Sequence, residues 1–167
     1  MPKYQYGLLK FETGTMDAVT GAVSNWTEEK IYQDTCVIDR PEAQKTEHYA
    51  QGDPDPKVIR YGRTAKTIAF SVFDRSADSK VKWLGGTKTT VDLVNSWNAP
   101  AKAVASTKKA IRLTFEDGSV AVAPNCSCAA RDSWNPNDSD VAVIPVIATV
   151  LGTGVEAVAS WTETDTE

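Results

Sequence analysis

The chain has 167 residues, one domain's worth and enough to bury a core. Its 41% hydrophobic and 24% charged residues exclude a disordered or collagen-like chain, and no apolar run approaches the ~20 residues that a membrane helix needs. The net charge of −4 hides an asymmetry: residues 1–74 carry 9 basic and 11 acidic side chains, residues 75–112 carry 8 and 2, and residues 113–167 carry 1 and 9. A basic block beside an acidic one disfavours a surface that clamps nucleic acid throughout, and suits a subunit that meets copies of itself head to tail.

Val, Ile and Thr together supply 42 residues and Leu only six, which predicts a mainly β protein. Tyr4–Phe11 reads as a first strand, followed by a stretch punctuated by Thr13-Gly14-Thr15 and Thr20-Gly21. Ile31–Asp39 reads as a strand with Tyr32, Cys36 and Ile38 on one side and Ile31, Thr35 and Val37 on the other. Arg40–Thr64 is different: a polar arm broken by Gly52-Asp53-Pro54-Asp55-Pro56, too long for a simple connection and therefore either mobile or engaged with something else.

Thr67–Phe73 alternates cleanly, with Ile68, Phe70 and Val72 facing one way. A helix follows over Ala77–Leu84, capped by Asp74 or Ser76 and stopped by Gly85-Gly86; it should bury Val81 and Leu84 with Trp83 at its edge. Thr87–Trp97 reads as one strand, Trp97-Asn98-Ala99-Pro100 as a corner, and Lys109–Phe115 as another strand. Asp117-Gly118 closes a hairpin in a turn whose two central residues take positive φ, and Ser119–Ala130 returns from it. In Val141–Leu151, Pro145 implies a bulge or an edge position. From Gly152 onward the tail holds four acids and no base. The expected fold is a single β-sandwich or barrel of about eight strands with one short flanking helix and a long polar loop arm.

The residues offer little chemistry. His48 is the single histidine, so it has no second imidazole with which to hold a metal and reads as a surface or interface residue. Cys126 and Cys128 share a strand face and read as small core residues; three cysteines make no disulfide framework, and a reducing compartment is the simpler setting. Asp132–Asp140 looks like an oxygen-ligand loop but lacks the turn glycine and closing Glu of a calcium site. No GxSxG, phosphate-cradling glycine loop or HExxH occurs, so the expectation is a protein that is not an enzyme, with no catalytic residue, cofactor or metal. The start, Met1-Pro2-Lys3-Tyr4, lacks the layout of a secretory signal, which predicts a soluble protein made in a cytoplasm.

Lys30–Ile38, the arm segment Lys45–Gly52, the strand Ile68–Asp74, the helix ending Trp83-Leu84-Gly85-Gly86, then Trp97–Ala101, Gly118 and Val122–Asn125 together resemble, in layout and order, the major tail tube proteins of tailed bacteriophages, a fold shared with related contractile injection systems. The resemblance implies a structural virion protein of the phage tail, assembled in the host bacterial cytoplasm. Its copies form rings, usually hexameric, that stack into the conduit for DNA ejection. The implied partners are further copies, a tape measure protein inside the tube, and tail terminator and distal tail proteins at its ends. Genomic DNA passes through without specific binding, and no membrane is involved.

The family's long loop reaches a neighbouring ring. By position it corresponds to the arm, which makes Arg40, Lys45, Glu47, His48, Tyr49, Asp53, Asp55, Lys57, Arg60 and Arg63 inter-ring candidates. Acidic lumens let phosphate slide past by repulsion, and the implied lining acids are Glu116, Asp117, Asp132, Asp138 and Asp140. Lys108, Lys109 and Arg112 would then pair with acids of an adjacent copy.

Two readings from other classes stay open on the residues alone. An extracellular carbohydrate-binding β-sandwich module would use Tyr4, Tyr6, Trp26, Trp134 and Trp161 as stacking platforms, and a metal-dependent enzyme would use the Asp132–Asp140 loop with Cys126 and Cys128.

Overall fold

The computed structural model describes residues 5–165 and is mainly β, 48% strand and 5% helix. In chain order its elements are β1 (Leu8–Met16), β2 (Val23–Glu29), β3 (Val37–Asp39), β4 (Lys45–Tyr49), β5 (Pro56–Tyr61), β6 (Thr67–Val72), α1 (Ala77–Leu84), β7 (Thr87–Val91), β8 (Val94–Asn98), β9 (Thr107–Phe115), β10 (Val120–Ala130), β11 (Ile144–Val150) and β12 (Thr162–Thr164). Seven strands in the order β2-β1-β9-β10-β11-β6-β3 curl into a half-barrel, and β12 pairs with β10 beside them. The two ends of the curl are drawn together just beyond β2, where the Tyr32 N–H donates to the Ser71 carbonyl and the Phe73 N–H to the Lys30 carbonyl, both at 2.8 Å.

The core follows from strand periodicity. Ile68, Phe70 and Val72 point inward from β6 and meet Phe11 of β1, Ile111 and Leu113 of β9, Ile144 and Val146 of β11, and Trp83 of α1. The Phe70 ring lies 4.5 Å from that of Phe11 and presents an edge contact to Trp83 at 5.6 Å. Ser76 caps the helix by accepting the Ser79 N–H at 3.3 Å. Cys126 and Cys128 are fully buried on the inner face of β10.

Several expectations need correcting, each for a local reason. Within α1 it is Trp83 that is fully buried, while Val81 and Leu84 are only partly covered, because the helix packs its indole against Phe70 in the core. Thr13-Gly14-Thr15 is not a turn but part of β1; the turn comes at Asp17, whose carboxylate accepts the N–H groups of Val19 and Thr20 at 2.9 and 2.7 Å, and β2 follows where no strand was read. Ile31–Asp39 is not continuous: a Tyr32–Thr35 turn, with Asp34 at φ 59°, separates the bridge at Ile31 from β3. The start of the first expected strand, Tyr4, lies outside the described residues.

Thr87–Trp97 is a hairpin, not one strand. Its turn residues Asp92 and Leu93 both take positive φ, 49° and 66°, a conformation that Leu disfavours and that its sequence does not advertise. At Asp117-Gly118 the reverse holds: only Gly118 has positive φ, 82°, and its N–H donates to the Phe115 carbonyl at 3.0 Å, which is an ordinary turn extended by a glycine bulge. Pro145 makes neither bulge nor edge. Its carbonyl accepts the Arg131 N–H at 3.0 Å where the β10–β11 ladder ends, so its missing N–H costs only the reciprocal bond of the last rung; the bulge comes at Pro124-Asn125 in β10 instead.

Candidate assembly interface

Two hairpins stand away from the half-barrel. Every residue of β4 and β5 is exposed except Glu47 and Pro56, which are half-buried, and in β7 and β8 the exception is Trp97. The β7–β8 hairpin is anchored at its base: the Trp97 indole N–H donates to the Gly85 carbonyl at 2.9 Å, and Lys88 pairs with Asp78 at 2.7 Å. Gly86 has φ 89°, and a Cβ there would come within 2.2 Å of the Asn98 carbonyl, so helix and hairpin can meet this closely only through glycine. Its tip carries three exposed apolar side chains, Val91, Leu93 and Val94, with Leu93 at 96% exposure.

The polar arm, read as a loop, forms the β4–β5 hairpin. Register opposes Lys45 to Tyr61 and Glu47 to Ile59 on one face, and Thr46 to Arg60 and His48 to Val58 on the other. Lys45 pairs with Glu47, which also accepts the Tyr49 hydroxyl; these bonds hold the Glu47 carboxyl below its ordinary range and the Lys45 amine above its own. At the turn Lys57 pairs with Asp53 at 2.9 Å. Arg40, Asp55 and Arg63 are exposed around the hairpin. Val58, Ile59, Tyr49 and Tyr61 leave apolar surface on both faces uncovered.

The three cations expected as inter-subunit charges differ in their surroundings. Arg112 is committed inside the subunit: its Nε donates to Glu12 at 2.6 Å, and its guanidinium lies 4.4 Å from the Trp26 ring centre. Glu12 is 5% exposed and also pairs with Lys10 at 2.8 Å. The Arg112 hydrogen bond, above all, holds the Glu12 carboxyl down at about 2, against the opposing effect of burial. Lys109 lies 5.1 Å over the Trp83 ring, and burial, with the charge of Lys82, pushes its amine below the ordinary range. Lys108 alone of the three is exposed. Lys82 in turn pairs with Glu29, and Lys80 lies over Trp97.

The five candidate lining acids do not form one cluster along the chain's path. Glu116 and Asp117 sit in the turn before β10, where Asp117 accepts both the N–H and the hydroxyl of Ser119, while Asp132, Asp138 and Asp140 follow its other end, eleven strand residues later. Asp132 is paired with Arg75 at 2.8 Å. The Asp132–Asp140 loop is organised by Asn137, whose side-chain oxygen accepts the N–H groups of Ser139 and Asp140 at 3.0 and 2.6 Å. Burial pushes the Cys126 thiol up to about 12 and those of Cys128 and Cys36 to about 11, so none offers a thiolate near neutral pH. Among the described residues no three His, Cys, Asp or Glu side chains stand together where they could hold a metal ion, and no helix is long and apolar enough to cross a membrane.

A cavity of about 620 Å³ opens between the start of β1, the Ile31–Ile38 segment and the β9–β10 turn, with Tyr6, Ile31, Tyr32, Ile38 and Phe115 on its walls and Asp34 and Glu116 beside them. The tail after β11 is tied down: β12 lies along Val120–Val122, and Trp161 packs on the core under Lys66, whose amine is 3.8 Å from the ring centre. Sequence reasoning found the arm but missed the β7–β8 tip; the only signal there was Asp92, a residue that tolerates positive φ. No protein-family model matches this chain, and no curated protein does.

Proposed function

We propose that this protein is a phage tail tube subunit: a structural virion protein, without catalytic activity, whose copies form rings, hexameric by the resemblance, that stack into the conduit for DNA ejection. The observation that carries the reading is the β4–β5 hairpin, which stands off the half-barrel with apolar side chains exposed on both faces. A two-stranded hairpin is marginal by itself, and surface of this kind is ordinarily covered by a partner. Further support comes from the apolar β7–β8 tip and from the cavity of about 620 Å³ between the start of β1, the Ile31–Ile38 segment and the β9–β10 turn, which is large enough to receive side chains from a neighbouring copy. Stacking of copies supplies a cover for each. Other tail proteins then occupy the inside and ends of the tube, and DNA passes without sequence-specific contact.

Negative-stain electron microscopy of the purified protein across a concentration series tests the reading, with sedimentation velocity on the same samples. Rings or hollow tubes are expected as concentration rises. A dispersed monomer at every concentration would overturn it.

A further inference from the structure

The five tryptophans differ in what occupies their rings. Trp83 is in the core, Trp161 packs on the core beneath Lys66, Trp26 lies beneath Arg112, and Trp97 spends its N–H on Gly85. Trp134 alone of the five is more than half exposed, at 54%. It lines an open cleft of about 300 Å³ between the loop after β10 and the Tyr32–Thr35 turn, together with Tyr32, Ser133, Asn135, Asn137 and Asp140.

The two aromatic side chains of the cleft have fixed neighbours. Arg75 lies 5.3 Å from the centre of the Trp134 ring, and its guanidinium is fixed by Asp132 at 2.8 Å and by the Val143 carbonyl at 3.0 Å. Tyr32 is braced by parallel stacking on Phe73 at 6.0 Å. The polar groups, in contrast, retain capacity: among the described residues the Asn135 amide makes no hydrogen bond, and the Asp140 carboxylate receives only a long bond of 3.4 Å from the Asn137 amide.

From this geometry we infer a saccharide-binding cleft: a pyranose ring stacks its C–H face on Trp134 while its hydroxyls donate to Asp140 and pair with the Asn135 amide. An indole face offers apolar area without demanding a charge, and neutral amides, a hydroxyl and one carboxylate match a ligand made of hydroxyl groups. The volume is at the lower end of small-molecule sites, which fits one or two sugar rings. A single-stranded nucleic acid, the other common stacking ligand, would need a cationic track for its phosphates; here Arg75 is neutralised by Asp132, and Asp138 and Asp140 follow in the same loop. A quaternary ammonium ligand would meet the Arg75 charge already lying over the ring. The inference does not rest on tube assembly, because no residue of either projecting hairpin lines the cleft.

The test is ligand-observed saturation-transfer NMR on the full chain, with the methyl pyranosides of glucose, galactose and mannose, N-acetylglucosamine and its short oligomers as probes and choline as a control. Indole N–H resonances of the protein are followed in parallel, with the Trp134 signal assigned by its loss in Trp134→Phe. At least one sugar should bind with millimolar affinity and shift the Trp134 indole resonance, Trp134→Ala should weaken it by about tenfold or more, and Asp140→Asn by a smaller factor. Both substitutions lie in an exposed loop, and an unchanged thermal melt verifies the fold. Transfer to no sugar, transfer to choline alone, or binding that survives Trp134→Ala would each overturn the assignment.

Discussion

Strands β5 and β6 are both six residues long and both rich in apolar side chains, yet one lies in the core and the other in solvent. In β6 the apolar residues recur at every second position, so Ile68, Phe70 and Val72 all face inward and none is more than 3% exposed. In β5 the apolar pair Val58-Ile59 is adjacent, so the two side chains point to opposite faces, and each remains more than 40% exposed. A strand with apolar residues on both faces cannot be covered by one curled sheet; it needs a second layer, which this subunit does not supply for β4–β5. Period, not hydrophobic content, separates β6 from β5.

Substitutions in the body should cost stability, whereas substitutions in the hairpins should cost association. The largest effect is expected from Phe70→Ala, which removes the ring that joins Phe11 to Trp83 and should cost about 3–5 kcal/mol in denaturant unfolding. Next comes the ion pair on the other face of the sheet. The Glu12 carboxyl titrates at about 2 in the fold against an ordinary 4.5, so its stabilisation is complete above 4.5 and is lost as pH falls through about 2. Glu12→Gln should therefore cost on the order of 2–3 kcal/mol at neutral pH, and its stability should decline less between pH 4.5 and 2 than that of the parent, as read by urea titrations across that window.

The β7–β8 tip gives the opposite sign. Asp92→Asn with Leu93→Gly relieves the left-handed backbone and should stabilise the subunit by about 1 kcal/mol in thermal unfolding, while removing an apolar contact and so impeding particle formation under the microscope. The smallest change in stability, within about 0.5 kcal/mol, is expected from Val58→Ser, Ile59→Ser and Tyr61→Ser combined, yet these should abolish rings and tubes. Lys108→Glu belongs with them, whereas Arg112→Glu should unfold the subunit more easily because it places a second acid against Glu12. If Lys108→Glu assembled normally, an inter-subunit role for that cation would be ruled out.

Elements whose residues speak for themselves were legible in the sequence. β6, α1 and its Ser76 cap, the β9–β10 hairpin and the buried cysteines follow from alternation, capping and small size. β2 was hidden because Val23–Glu29 is polar, and it holds its place through pairing with β1 and through Trp26 beneath Arg112. The arm stood out as either mobile or engaged with something else, but its hairpin did not, since Gly52–Pro56 looks like a break in structure and is in fact the turn between two strands.

Of the candidate site residues, the arm keeps together on one hairpin, whereas Arg112 and Lys109 are taken up within the subunit and the candidate acids divide between the two ends of β10. Composition and alternation determined a mainly β chain, one helix and the inward residues of β6 and β9, because those depend on neighbours two to four positions away; that the helix buries Trp83 and not Val81 or Leu84 was settled by packing. Which cations find a partner, which tryptophan keeps a free face and which hairpin is left uncovered was decided only when the sheet curled. Those properties depend on residues such as Glu12 and Arg112, which lie far apart in sequence and meet only through the register of β1 with β9.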